Sequence, residues 1–218
     1  MTAEQQSGAI EALLAGYAAG TLAPPLAALV GAHLELAPDN RGFVADLESL
    51  AGHAVETAEP VALTRRDERL AAIFAAPAET APPWPPPAAA GPEPGHLPPS
   101  LRRHIGFDLA DIPMRTLMPG FKEWRAQDAS GLTSRFIWLR GGVAVPTHSH
   151  HGTEVTLVLS GSFSDSFGRH RPGDITIADE EIDHQPRADE DCLCFAVTDA
   201  PLRLTGPIGR LFTRFLRL

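Results

Sequence analysis

Three histidines and one glutamate in the second half of the chain have the types and spacing of a metal site. His148 and His150 are two residues apart, Glu154 follows four later, and His184 lies further along. On a β-strand, residues of equal parity point to one side. His148, His150 and Glu154 therefore share a side, provided that the turn-like His151-Gly152 does not end the strand first. Three imidazoles and a carboxylate suit a divalent transition ion. Zinc is the expected ion, and iron, manganese, nickel or copper fit the same donors. His151 is out of phase with the pair and is expected to be exposed or behind the ligands. His170, in a turn, is expected to be solvated, and His53, His96 and His104 have no ligand-like neighbours in sequence.

The elements that must position these donors read as strands. The segments 133–140, 154–163, 174–178 and 192–198 are rich in Val, Ile, Leu, Phe and Thr and are punctuated by Gly, Pro and Asp, which argues for a sandwich or small barrel. Gly173-Asp174 reads as a tight turn, and the strand after it would return His184 beside the other three. The pattern resembles both motifs of the cupin superfamily. Gly142, His148, His150, Glu154 and Gly161 fill the first motif, and Pro172-Gly173-Asp174 with His184 fills the second. The chain departs from it at Asp179-Glu180-Glu181, where the superfamily has Pro-X-Gly. That resemblance implies a β-barrel whose single metal is held by His148, His150, Glu154 and His184.

Residues 1–76 read as helical. Ile10, Leu13, Leu14 and Tyr17 form an apolar stripe ended by Gly20, and Leu26, Leu29, Val30 and His33 form a second after Pro24-Pro25. Phe43, Val44, Leu47, Leu50 and Ala54 make a third. Thr64 with Asp67 has the look of a capping box before Leu70, Ile73 and Phe74. The expected unit is a small four-helix bundle whose stripes need a partner. Residues 77–100 hold ten of the chain's 21 prolines. They read as an extended linker reaching about 70 Å between a helical domain and a domain spanning 101–218. Trp84 in this linker is read first as a local aromatic–proline contact, with a docking point on a neighbouring domain as the alternative. The net charge is −9 over 218 residues, which argues against direct nucleic-acid binding. An apolar span and a signal peptide are both missing from the sequence pattern, so a cytoplasmic location is expected. The two cysteines, Cys192 and Cys194, share a strand face and read as reduced thiols.

Taken whole, the chain resembles the ChrR family of bacterial anti-sigma factors. The segments carrying the resemblance are 13–22, 32–36, 60–63, 145–165, 173–186 and 192–204. It implies an α+β architecture, with an N-terminal helical bundle that sequesters an extracytoplasmic-function sigma factor and a C-terminal cupin jelly roll that takes part in an oxidative response. The family's helical domain holds zinc through an early histidine and a His-X3-Cys-X2-Cys segment. Here His33 matches, but Ala37 and Asn40 stand at the cysteine positions and no histidine precedes His33. The expectation is therefore a metal-free helical unit, with His33 packing beside Leu29 and Val30. The function read from these features is a transcriptional regulator. The metal, its ligand or Cys192 and Cys194 would receive an oxidative or small-molecule signal. The alternative is a metal-dependent cupin enzyme of the dioxygenase type. A homodimer through the cupin stays open.

Overall fold

A computed structural model describes residues 3–76 and 95–204. Trp84 and most of the proline-rich segment lie outside the described residues. Four helices come first, α1 (Ala3–Ala18), α2 (Pro24–Leu36), α3 (Arg41–Thr57) and α4 (Arg66–Ala75). Gly20 closes α1 with φ +67°. Pro24 and Pro25 open α2, where their missing N–H groups cost nothing. The capping box expected at Thr64 does not form. Arg65 caps α4 in the left-handed region without a side-chain cap bond, and its Nε instead donates to Glu68 at 2.6 Å. The expected linker is structured at its far end. Leu97 is buried, and Pro99–Ile105 form helix α5. Glu35 on α2 accepts from the Ser100 backbone N–H at 3.2 Å and from its hydroxyl at 2.7 Å, so α5 packs against α2.

The strands that follow are β1 (Arg115–Met118), β2 (Phe121–Gln127), β3 (Thr133–Leu139), β4 (His148–His150), β5 (Glu154–Ser160), β6 (Phe163–Asp165), β7 (Gly168–His170), β8 (Ile175–Ala178), β9 (Arg187–Ala188), β10 (Cys192–Thr198) and β11 (Leu202–Leu204). Six of them form an antiparallel sheet in the order β1-β2-β3-β10-β5-β8. The smaller sheets β7-β6-β9 and β11-β4 complete the barrel.

The large sheet is buried on both faces, and the period of two decides which side chain serves which face. Phe136, Val155, Leu157, Ile175, Ile177, Leu193, Phe195 and Val197 turn outward. They share one apolar cluster with Leu14, Leu29 and Val30 of the helices. Within it Phe136 packs on Phe195 at 5.0 Å between ring centroids and Trp124 on Phe136 at 5.6 Å. The residues between them, among them Leu139, Val158, Cys192 and Cys194, turn inward to a second cluster. Burying a side chain the size of Phe195 contributes about 2–3 kcal/mol, so the helices rest on the barrel through a substantial common core.

Gly161 ends β5 with φ +69°, and a Cβ there would collide with the Asp191 carbonyl. Replacing it with alanine adds left-handed strain to a backbone clash. Gly161→Ala is expected to destabilise the protein by about 2 kcal/mol or more, measured as a lowered denaturation midpoint.

Candidate metal centre

Backbone geometry brings the four sequence-predicted donors together. β4 carries His148 and His150 on one side. The chain then breaks strand geometry at His151-Gly152, as the sequence allowed, and resumes at Glu154. His151 is exposed. His184 returns through an isolated bridge to His148, with the two residues exchanging backbone hydrogen bonds of 3.1 and 3.0 Å. The result is four buried side chains whose donor atoms all lie within 4.8 Å of one another.

The imidazoles face each other through their Nε2 atoms. His184 Nε2 is 3.0 Å from His148 Nε2 and 3.3 Å from His150 Nε2. His148 Nδ1 lies 2.8 Å from the Pro146 carbonyl. Only an N–H satisfies a carbonyl, so this partner assigns the proton to Nδ1 and leaves a lone pair on Nε2. His184 Nδ1 is 3.6 Å from an Asp165 carboxylate oxygen, which favours the same tautomer. Lone pairs aimed at one another at 3 Å repel unless a cation or proton sits among them. The donor set, its convergence and its tautomers therefore fit a divalent ion.

Protons compete poorly for this cation position. Burial, aided by the charge of His184, pushes His148 down to about 4. Burial also lowers His150, and Glu154 opposes that shift. Burial works to raise the Glu154 carboxyl, but Arg135 and the three imidazoles outweigh it and hold it below its ordinary value.

Three polar groups behind the donors were not singled out in the sequence. Arg135 on β3 donates to Glu123 on β2 at 2.6 Å and reaches Glu154 at 3.4 Å, so Glu154 is oriented from behind as metal-binding carboxylates commonly are. Asp165 at the end of β6 accepts from His170 Nε2 at 3.1 Å and from the Phe167 N–H at 2.8 Å. Burial alone would raise its carboxyl, but its bonds to His170 and His184 hold it well below the usual range. The expectation of a solvated His170 is thereby corrected, since its ring is also stacked on Phe163 at 4.8 Å. A charged residue of inward parity within an apolar strand, such as Arg135 in TSRFIWL, was the available signal.

The inward face of the sheet encloses a largely apolar cavity with His148, Glu154 and His184 in its wall, and Phe121, Ile137, Val145 and Phe163 among its apolar lining. Cys194 faces it too, and the Sγ atoms of Cys192 and Cys194 are 3.6 Å apart. Its contact with Cys192 first, then burial, pushes the Cys194 thiol up, so it stays protonated at neutral pH.

His33 does more than pack beside Leu29 and Val30. It is buried with Nδ1 2.6 Å from the Gly173 carbonyl and Nε2 2.8 Å from Asn40 Nδ2. Both ring nitrogens of the matching histidine thus have partners within the chain, and one partner belongs to the second cupin motif. Among the described residues no helix is long and apolar enough to cross a membrane.

Comparison with known proteins agrees with this fold and order of parts. Residues 103–202 match the family model of the ChrR cupin-like domain. The anti-sigma-E factor ChrR of Cereibacter sphaeroides is 37% identical over 95% of this chain and 96% of its own length. In the crystal structure of Rhodobacter sphaeroides SigE in complex with the anti-sigma ChrR, a chain 36% identical in sequence superposes with a TM-score of 0.70, covering 87% of this chain and 96% of that one. A helical N-terminal part, a cupin that follows it and similarity along nearly the whole length place this chain in the ChrR family of anti-sigma factors.

Proposed function

We propose that the protein is a cytoplasmic anti-sigma factor. Its helical unit, residues 1–76, binds an extracytoplasmic-function sigma factor. Its cupin holds one divalent metal, zinc by expectation, through His148, His150, Glu154 and His184. A change at that metal or in the adjoining cavity, caused by an oxidant or a small molecule, then biases release of the sigma factor.

One observation carries the sigma-binding reading. Phe43, Leu50, Val55, Val61, Leu63, Leu70, Ile73 and Phe74 are the large apolar side chains left exposed among the described residues, and all belong to α3, α4 and the segment between them. Val61 and Phe74 are 89% and 84% exposed. A concentration of this kind marks a surface that another protein covers. The opposite side of the helical unit already rests on the cupin, so the uncovered side is available to a partner. Co-expression of the full chain with an extracytoplasmic-function sigma factor from the same genome tests the reading. A stable complex and repression of the sigma factor's promoter are expected, and failure of both would sink it.

The metal reading has its own test. The purified chain is expected to retain about one zinc per molecule through dialysis, measured by elemental analysis. Asp165→Asn keeps the shape of the side chain but removes the charge behind His184. Partners of this kind typically contribute 10–100-fold to metal affinity, so a drop of roughly that size is expected in a chelator competition. Unchanged affinity would show that Asp165 does not support the ligand.

A further inference from the structure

Strand β8 is an edge of the six-stranded sheet, and edges expose unpaired backbone groups that a protein must cover. Here the helices cover it with side chains that bond to backbone. The Gln6 amide of α1, oriented to satisfy both of its ends, donates to the Ile177 carbonyl at 3.0 Å and accepts from the Ile177 N–H at 2.7 Å. One side chain thus pairs with β8 as a neighbouring strand would. The turn leading into β8 is held by α2, through the 2.6 Å contact of His33 with the Gly173 carbonyl. Gly173 has φ +93°, and an added Cβ would sit 3.0 Å from the Ala37 Cβ. The end of α2 therefore closes on the turn at a distance that only small residues permit. Asn40 fixes the far side of the His33 ring at 2.8 Å.

The same strand is tied to two of the metal donors. Ala178, its last residue, pairs with Glu154 across the ladder, and Ile177 pairs with Val155. Beyond Ala178 the chain makes a tight turn, with the Glu181 N–H on the Asp179 carboxylate at 3.1 Å and the Ile182 N–H on the Asp179 carbonyl at 3.2 Å, and then delivers His184. Position 177 is thus the immediate neighbour of the residue that pairs with Glu154, and position 173 lies at the other end of one short strand of about 13 Å.

We propose that β8 is the coupling element of the molecule. Its outer edge and leading turn are the docking surface for α1 and α2, its far end sets Glu154 and His184, and filling the metal site and docking the helices therefore favour one another. This rests on the metal reading given above. Linkage makes the effect reciprocal, since whatever ion binding adds to docking, docking adds to ion affinity. The partner-binding side of the helical unit, α3 and α4, is not consumed by this contact. The cupin can thus influence that side through α1 and α2 without competing for it.

The experiment uses the full chain, Zn²⁺ as the probe, and two readouts, zinc affinity by chelator competition and amide hydrogen exchange across residues 173–178. Gln6→Ala removes both the donor aimed at the Ile177 carbonyl and the acceptor of the Ile177 N–H, at a half-buried helix position. Glu4→Gln, on an exposed part of the same helix, is the control. Zinc is expected to slow exchange at Ile177 in the wild type. Gln6→Ala is expected to speed it and to weaken zinc binding by roughly fivefold or more, while Glu4→Gln changes neither. His33→Ala is expected to act in the same direction at Gly173. A Gln6→Ala chain that loses protection at Ile177 yet binds zinc as the wild type does would overturn the coupling, and so would unchanged exchange at Ile177. A wild-type chain that takes up no zinc would refute the metal reading itself, and the coupling with it.

Discussion

Replacing Ile73 and Phe74 together with serine is expected to weaken sigma-factor binding by about thirtyfold or more, while leaving the thermal stability of the free chain nearly unchanged. Both halves of this expectation come from exposure. Ile73 is 67% and Phe74 84% exposed, and neither contributes to the shared core, so removing them costs the free protein little. In a complex the balance reverses. Large apolar and aromatic side chains that become buried at the centre of an interface commonly cost 2–4 kcal/mol each when truncated, and about 2 kcal/mol already corresponds to thirtyfold in affinity. Isothermal titration or a pull-down series with the co-expressed sigma factor measures it. Wild-type affinity in the double variant would mean that the partner does not use α4, and the functional surface would have to be sought elsewhere on the helices.

The contrast between the two faces of the helical unit explains how a small bundle without the family's zinc ligands can be ordered. Leu14, Leu29, Val30 and Ala32 are buried against the barrel, and polar bonds from Gln6 and His33 fix their placement on β8. α3 contributes only Val44 to the buried set, and α4 contributes nothing. Stability of the helical unit is therefore borrowed from the cupin on one side. On the other side the proposed partner would supply it, by the mass action that any ligand of the native state exerts.

How much of this was legible in the sequence follows from how local each signal is. The parity of His148, His150 and Glu154 is a property of a short stretch of chain, and it survives even the interruption at His151-Gly152. The limits of β10, Cys192–Thr198, were readable because its flanking Asp residues and its apolar run agree. The four helices were legible from their stripes, whereas the start of α4 was not, because the left-handed Arg65 does the work assigned to Thr64. What stayed hidden depends on pairing across the chain. Arg135 could be seen as out of place, but only the β2–β3 register reveals Glu123 beside it. The partner of His33 is 140 residues away, and no periodicity in α2 announces it. The end of the linker was misjudged because the proline pair at 98–99, which reads as extended, in fact starts α5, with Ser100 held by Glu35.

Acid is expected to act on this protein first through His148. Its folded-state value is pushed from 6.5 down to about 4 by burial and by the neighbouring His184, whereas in the unfolded chain it titrates normally. The unfolded state therefore takes up a proton that the folded state refuses. The direction of the effect follows from that difference. Stability is fully present above about 6.5, falls as the pH drops below it, and levels off once the folded state also protonates near 4. A difference of that size is worth on the order of 3 kcal/mol for a group this deeply buried, which is a large part of the stability of an ordinary domain. Denaturant unfolding of the zinc-stripped chain at a series of pH values should show the decline within that window, and His148→Phe should flatten it, because an apolar ring has no proton to gain. A bound zinc ion would sharpen the dependence, because it would add stabilisation that grows with its saturation and reaches about 4 kcal/mol at a thousandfold excess over the dissociation constant. Protons would remove the ion by taking the same Nε2 lone pairs. In the loaded protein the loss with falling pH should thus be steeper than in the stripped one, and His148→Phe should abolish the difference between the two. Parallel curves for loaded and stripped wild-type protein would show that the ion is held elsewhere than on these imidazoles.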